Sequence, residues 1–203
     1  NTLDDIINNQ RGGLLSIGFI LALYFSTNGM SSLIQAFNSS YHIRENESII
    51  KHQLLSILLT VVISALVFLT IILIIFGKTT ITYLVDFQLI NQNKIVFLNI
   101  AKWIVLIFML FIGITTIFNI GPAIKSKIKI FSPGAILATL FIILTSIVFS
   151  YYIDNFSQYN KIYGSIGTLI IILLWIYFNA IFLLIGFELN ASILNAKKNL
   201  NNK

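Results

Sequence analysis

The chain has 203 residues, of which 57% are hydrophobic and only 10% charged, with a net charge of +6 and no cysteine. A typical globular domain carries about 25% charged residues, so this chain lacks the polar groups to coat a water-facing surface of its size. The composition excludes an ordinary soluble domain, a disulfide framework, a thiolate metal site and a cysteine nucleophile. The 13 lysines and arginines are scattered between the apolar segments. That pattern fits topology-setting charge on cytoplasmic loops better than a nucleic-acid patch.

The chain opens at Asn1 without an initiator methionine, and its first charges are Asp4, Asp5 and Arg11. No basic stretch followed by a short apolar run marks a signal peptide, and the missing methionine suggests a longer product. The first apolar segment covers residues 14–37, with Ser26, Thr27, Asn28 and Gly29 at its middle. The second, 54–76, is almost wholly aliphatic. A connection at 77–99 follows, holding Asp86, Lys94 and a half-apolar patch at 81–85 read as interfacial. The third segment, 100–120, carries Lys102 near its start. The fourth, 134–153, opens after the Ser132-Pro133-Gly134 stop, and the fifth covers 165–190. A hydrocarbon core is about 30 Å thick and needs about 20 helical residues, so every segment can span it.

Strands are the competing reading of isoleucine-rich runs. Barrel strands alternate apolar and polar over about ten residues, whereas 66–76 and 169–175 are apolar on every face. Helix is therefore the predicted form, because in lipid the backbone must satisfy itself. The expectation is an all-α polytopic transmembrane bundle, one integral-membrane domain over residues 1–203. Alternating the flanks across the membrane puts eight of the basic residues on one side, including Lys125, Lys127, Lys129, Lys197 and Lys198, and five on the other. The richer side is the expected cytoplasm. That places the C-terminus inside and Asn1 outside, as a preceding helix would explain.

Ionisable and amide groups inside a bilayer are functional candidates. Glu188, about one turn from the end of segment five, could bind a cation or relay a proton; the competing reading is a carboxylate at headgroup depth. Trp175, Asn179, Phe182, Gly186 and Asn190 share one helical stripe, which suits helix packing or, alternatively, a substrate groove. Asn28 belongs to a polar patch read the same way, or as a local break lining a cavity. The loop at 154–165 is the densest polar-aromatic stretch, with Asn155, Tyr159, Lys161 and Tyr163. There Gly164 permits a turn and Ser165 is an N-cap candidate. These residues are expected to fold over the outer mouth of the bundle, with Glu188 at the opposite end. No catalytic, metal or cofactor motif is present: seven acids in all, and His42 and His52 without ligand spacing.

Three stretches carry a resemblance: residues 159–167 (YNKIYGSIG), 173–177 (LLWIY) and 186–191 (GFELNA). Together they resemble the C-terminal signature of the YihY/BrkB family of bacterial inner-membrane proteins. Gly13 to Gly29, Ala36-Phe37-Asn38 with Tyr41, and Ser132-Pro133-Gly134-Ala135 extend the resemblance over about residues 11–196. It implies six helices with both ends cytoplasmic, of which this stretch carries the last five. Where the family often has alanine after the glycine, this chain has Phe187. The resemblance further implies a multi-pass protein of the inner membrane; the expected partners are membrane lipids, with a homo-oligomer possible. Transport of a small solute or an envelope lipid is the favoured role, and a non-transporting envelope scaffold is the alternative. A transfer-RNA-processing ribonuclease label has been attached to the family, and the residues here give it no support. A transporter should line a polar cavity with Asn28, Asn179 and Glu188, whereas a scaffold should pack those stripes solid.

Overall fold

A computed structural model describes residues 12–40, 48–86, 92–123, 130–155 and 159–201. Among them lie five helices: α1 (Gly12–Ser40), α2 (Ile49–Asp86), α3 (Gln92–Ile120), α4 (Pro133–Asn155) and α5 (Tyr159–Asn201). Each holds a stretch long and apolar enough to cross a membrane, and no strand occurs among the described residues. Only 6–17% of each apolar window is buried inside the bundle. The remaining leucine, isoleucine and phenylalanine side chains face outward, an arrangement stable only where hydrocarbon is the solvent. The chain is a multi-pass membrane protein.

Sequential neighbours pack as α1–α2, α2–α3, α3–α4 and α4–α5, and α1 returns to α5, so the helices close a ring. With 38 and 43 residues, α2 and α5 are about 57 and 65 Å long, well beyond the hydrocarbon core of about 30 Å. Both therefore project from the membrane, which changes two readings. α2 continues through Gly77 to Asp86, so the patch at 81–85 is the end of a helix and not part of an irregular connection. α5 begins at Tyr159, which makes Gly164 a helix-interior residue and removes Ser165 as an N-cap. A glycine costs a helix only about 1 kcal/mol relative to alanine, less than breaking the ladder there would. Nor is there a break at residues 26–29. The Ser26 hydroxyl donates to Leu23 O at 3.1 Å and Ser32 to Asn28 O at 3.0 Å, turned back onto an unbroken α1.

One end of the ring is locked. α3 stops where Gly121 N donates to Ile117 O at 2.9 Å and Pro122 cannot continue the ladder. Immediately beyond, Ala123 N donates to Asn38 Oδ1 at 3.0 Å, tying the C-terminal ends of α1 and α3 together. Beside this tie, Phe37, Phe118 and Phe187 bring α1, α3 and α5 together, each no more than 1% exposed. Phe37 stacks on Phe187 with centroids 4.3 Å apart, and Phe118 meets them edge-on at 5.6 and 5.7 Å. These are the arrangements ring quadrupoles prefer.

Candidate functional site

Buried polar side chains occur on all five helices, and α4 and α5 are joined by several side-chain hydrogen bonds, beginning at the start of α4. A helix leaves its first N–H groups without internal partners. Here every one is accounted for. Pro133, in the first turn, has no N–H to satisfy. Gly134 N donates to Asn190 Oδ1 at 2.8 Å, and Ala135 N donates to the Ser132 hydroxyl at 3.3 Å. Ile136 N donates to Ser132 O at 3.1 Å. Asn190 Nδ2 closes the set by donating to Ser132 Oγ at 2.9 Å. Asn190 and Ser132 are both 3% exposed. Asn190 thus caps a second helix from within α5, and both ends of its amide are used.

The same contact brings backbone against backbone. A Cβ placed on Gly186 would meet Gly134 O at 2.5 Å and Ala138 Cβ at 2.8 Å, and one placed on Gly134 would overlap Gly186 O. Farther along, Phe182 tilts onto Phe141 at 4.9 Å, and Trp175 Nε1 donates to Ser146 Oγ at 3.3 Å. The stripe 175–182–186–190 thus faces α4. Asn179, half-buried on the same stripe, donates from Nδ2 to Trp175 O at 2.7 Å. Its Oδ1 is inaccessible and accepts no hydrogen bond.

The remaining candidates are dispersed. Asn28 is half-buried on α1, next to Thr27, which is 3% exposed with its hydroxyl unpartnered. Glu188 is exposed near the locked end, on a different face of α5 from Asn190. Asn155, Tyr159, Lys161, Tyr163 and Gly164 have helical backbones, but their side chains lie outside the described residues, as do residues 156–158. Among the candidates whose side chains are described, only Asn190 joins a cluster with groups from another helix. The Ser132 and Ser146 partners were not singled out as site residues, because a serine near an interface looks like any other until its partner is known. His52, which has no ligand spacing in the sequence, is half-buried and hydrogen-bonded to Ser31 Oγ at 2.8 Å across α1 and α2.

A cavity of about 280 Å³ lies elsewhere, between α2, α3, α4 and α5. Leu66, Thr70, Leu106, Met109, Gly113 and Leu183 are among its lining residues. Its one polar side chain among the described residues is Thr70. That hydroxyl is spent on Leu66 O at 2.8 Å, with Met109 Sδ at 3.8 Å. None of Asn28, Asn179 and Glu188 lines it. Among the described residues there is no group of three or more metal-ligating side chains.

Because Glu188 is exposed and meets no cation among the described residues, Glu188→Gln should change stability by less than about 0.5 kcal/mol. Thermal unfolding in detergent checks this. A drop beyond that range would reveal a carboxylate partner that the exposed position does not suggest.

A ring of apolar helices with lipid-facing walls defines a polytopic α-helical membrane protein. Residues 1–203 match the family described as Virulence factor BrkB. The chain belongs to that family, the one its C-terminal stretches resemble. The putative ribonuclease-like protein YfkH of Bacillus subtilis (strain 168) is 33% identical over 192 residues, 95% of this chain and 70% of that protein. A UPF0761 membrane protein of Pseudoalteromonas translucida is 35% identical over 82 residues, 40% of this chain and 27% of its own length. One from Haemophilus influenzae (strain PittEE) is 36% identical over 96 residues, 47% of this chain and 35% of its own. The matches to the two UPF0761 proteins thus span about a third of their length or less. No solved structure matches.

Proposed function

We propose that the protein handles a membrane lipid, moving or holding it within the bacterial inner membrane, and is not an enzyme. The carrying observation is the cavity. Among the described residues its wall is apolar and its one hydroxyl is committed, and these residues belong to the apolar spans. A hydrophilic solute would leave its hydrogen bonds unmade against such a wall, at a cost of several kcal/mol. An acyl chain loses nothing there. Lipid is therefore favoured over solute as the transported species. The ribonuclease-like name of the Bacillus relative carries little weight here, because the described residues offer no carboxylate or histidine cluster to hold a catalytic metal.

A scaffold that moves nothing is the second reading, favoured by the close packing of the α5 stripe on α4. Purified protein reconstituted in liposomes with a fluorescent phospholipid in one leaflet separates the two. Lipid handling by transfer predicts protein-dependent movement between leaflets, and its absence would leave the scaffold. The charge count supports a cytoplasmic C-terminus. Single cysteines at Lys127, Asn160 and Asn202, probed in intact cells with an impermeant thiol reagent, should label at 160 alone.

A further inference from the structure

The α2–α3 contact has one register along its whole length. Thr70 meets Met109, Leu66 lies under Gly113, and Gly77 lies under Lys102, the paired numbers rising on one helix as they fall on the other. Continuing along that register from the cavity rungs, the next pair beyond Leu106 is Gly77 with Lys102. There the Lys102 stem crosses α2 where no side chain stands: a Cβ on Gly77 would be 3.3 Å from Lys102 Cδ. The Lys102 ammonium lies 5.9 Å from the centroid of the Trp103 ring, and Trp103 is 62% exposed. Lys102 meets no carboxylate among the described residues. A lysine and an outward tryptophan side by side mark the depth at which hydrocarbon gives way to headgroups. Two cavity-lining residues, Val67 and Ile71, are also about half exposed, so the cavity opens sideways into the membrane.

We infer that Lys102 and the cavity below it form one binding site for an anionic phospholipid, the phosphate at Lys102 and one acyl chain in the cavity that α2 and α3 line together with α4 and α5. The two halves are independent observations with complementary chemistries. A cation that meets no carboxylate among the described residues, held at headgroup depth, attracts an anionic headgroup. An apolar cavity larger than the 150 Å³ voids that stay dry and take up apolar ligands is filled by whatever hydrocarbon adjoins it, which in a bilayer is acyl chain. The register places both halves on the same pair of helices, one below the other. The inference rests on the lipid-handling reading and deepens it by naming the lipid class and where each half is held.

The test uses the full chain in detergent micelles doped with either phosphatidylglycerol or phosphatidylcholine of identical chains, with retained lipid counted by native mass spectrometry. The wild type should retain one phosphatidylglycerol with severalfold preference over phosphatidylcholine. Lys102→Gln should cut that preference about fivefold while leaving phosphatidylcholine retention unchanged. Gly113→Leu, which projects into the cavity, should weaken both lipids alike. Val67→Phe at the rim should do the same, and it keeps the test open if the glycine variant fails to fold. Equal retention of the two lipids by wild type, or retention indifferent to Lys102→Gln and to both cavity variants, would overturn the site. If liposomes show lipid movement that ignores these variants, the site is wrong and the transport reading stands. If the lipid binds as described but nothing moves, the site stands and transport is wrong.

Discussion

Gly134→Ala should be among the most damaging single substitutions in this protein, costing about 2–6 kcal/mol. The methyl group would enter space filled by the Gly186 carbonyl and would press on the Asn190 amide. Overpacking a tight contact costs typically 1–3 kcal/mol. Displacing the Asn190 carboxamide would also leave Gly134 N without its acceptor and take from Ser132 Oγ one of its two donors, a further 1–3 kcal/mol for buried polar groups. The obstacle is backbone, not the tip of a flexible side chain, so local relaxation cannot absorb it. Gly18→Ala is the control. A Cβ on Gly18 meets nothing within 4 Å, and alanine is the better helix former by about 1 kcal/mol, so that variant should be neutral or slightly stabilised. Thermal unfolding of both variants in one detergent gives the comparison. Equal melting temperatures would show that α4 and α5 do not need backbone contact.

Phe187→Ala should cost on the order of 3 kcal/mol, although it installs the residue that the resemblance leads one to expect at this position. Buried Phe→Ala changes in water-soluble cores cost 3–5 kcal/mol. In a bilayer the hydrophobic part of that loss shrinks, because lipid is as apolar as the core. The dispersion contacts are still lost. Phe187 is stacked on Phe37 and met edge-on by Phe118, and all three are fully buried, so truncation leaves a void bounded by two rings with nothing to close it. The three come from α1, α3 and α5, and the loss should therefore loosen the locked end as a whole. Hydrogen exchange of the α1 and α3 C-terminal amides should rise together in the variant, including Ala123 N on Asn38. A melting temperature within error of wild type would mean the cluster is padding and not a clasp.

What could be read from the sequence follows from which forces act within a single segment. Continuous apolarity over about 20 residues reports that the solvent is hydrocarbon, and hydrocarbon admits helices, so the five spans and the all-α class needed no knowledge of partners. Ser132-Pro133-Gly134 marks a helix start because capping is local. The stripe Trp175–Asn179–Phe182–Gly186–Asn190 marks a packing face because helical period is local. Beyond the hydrocarbon these signals fade. Residues 77–86 and 159–165 are helical without being apolar throughout, so hydropathy does not extend the helix there, and Gly164 in isolation is as good a turn as it is a helix interior. Only the tertiary structure decided that Asn190 is committed at both ends of its amide while Glu188, two residues away, is committed to nothing described. Their surroundings come from other helices, far off in sequence. The cavity is the extreme case: four helices bound it and none of them alone contains it, because an empty volume is set by how helices meet and not by the residues of any one.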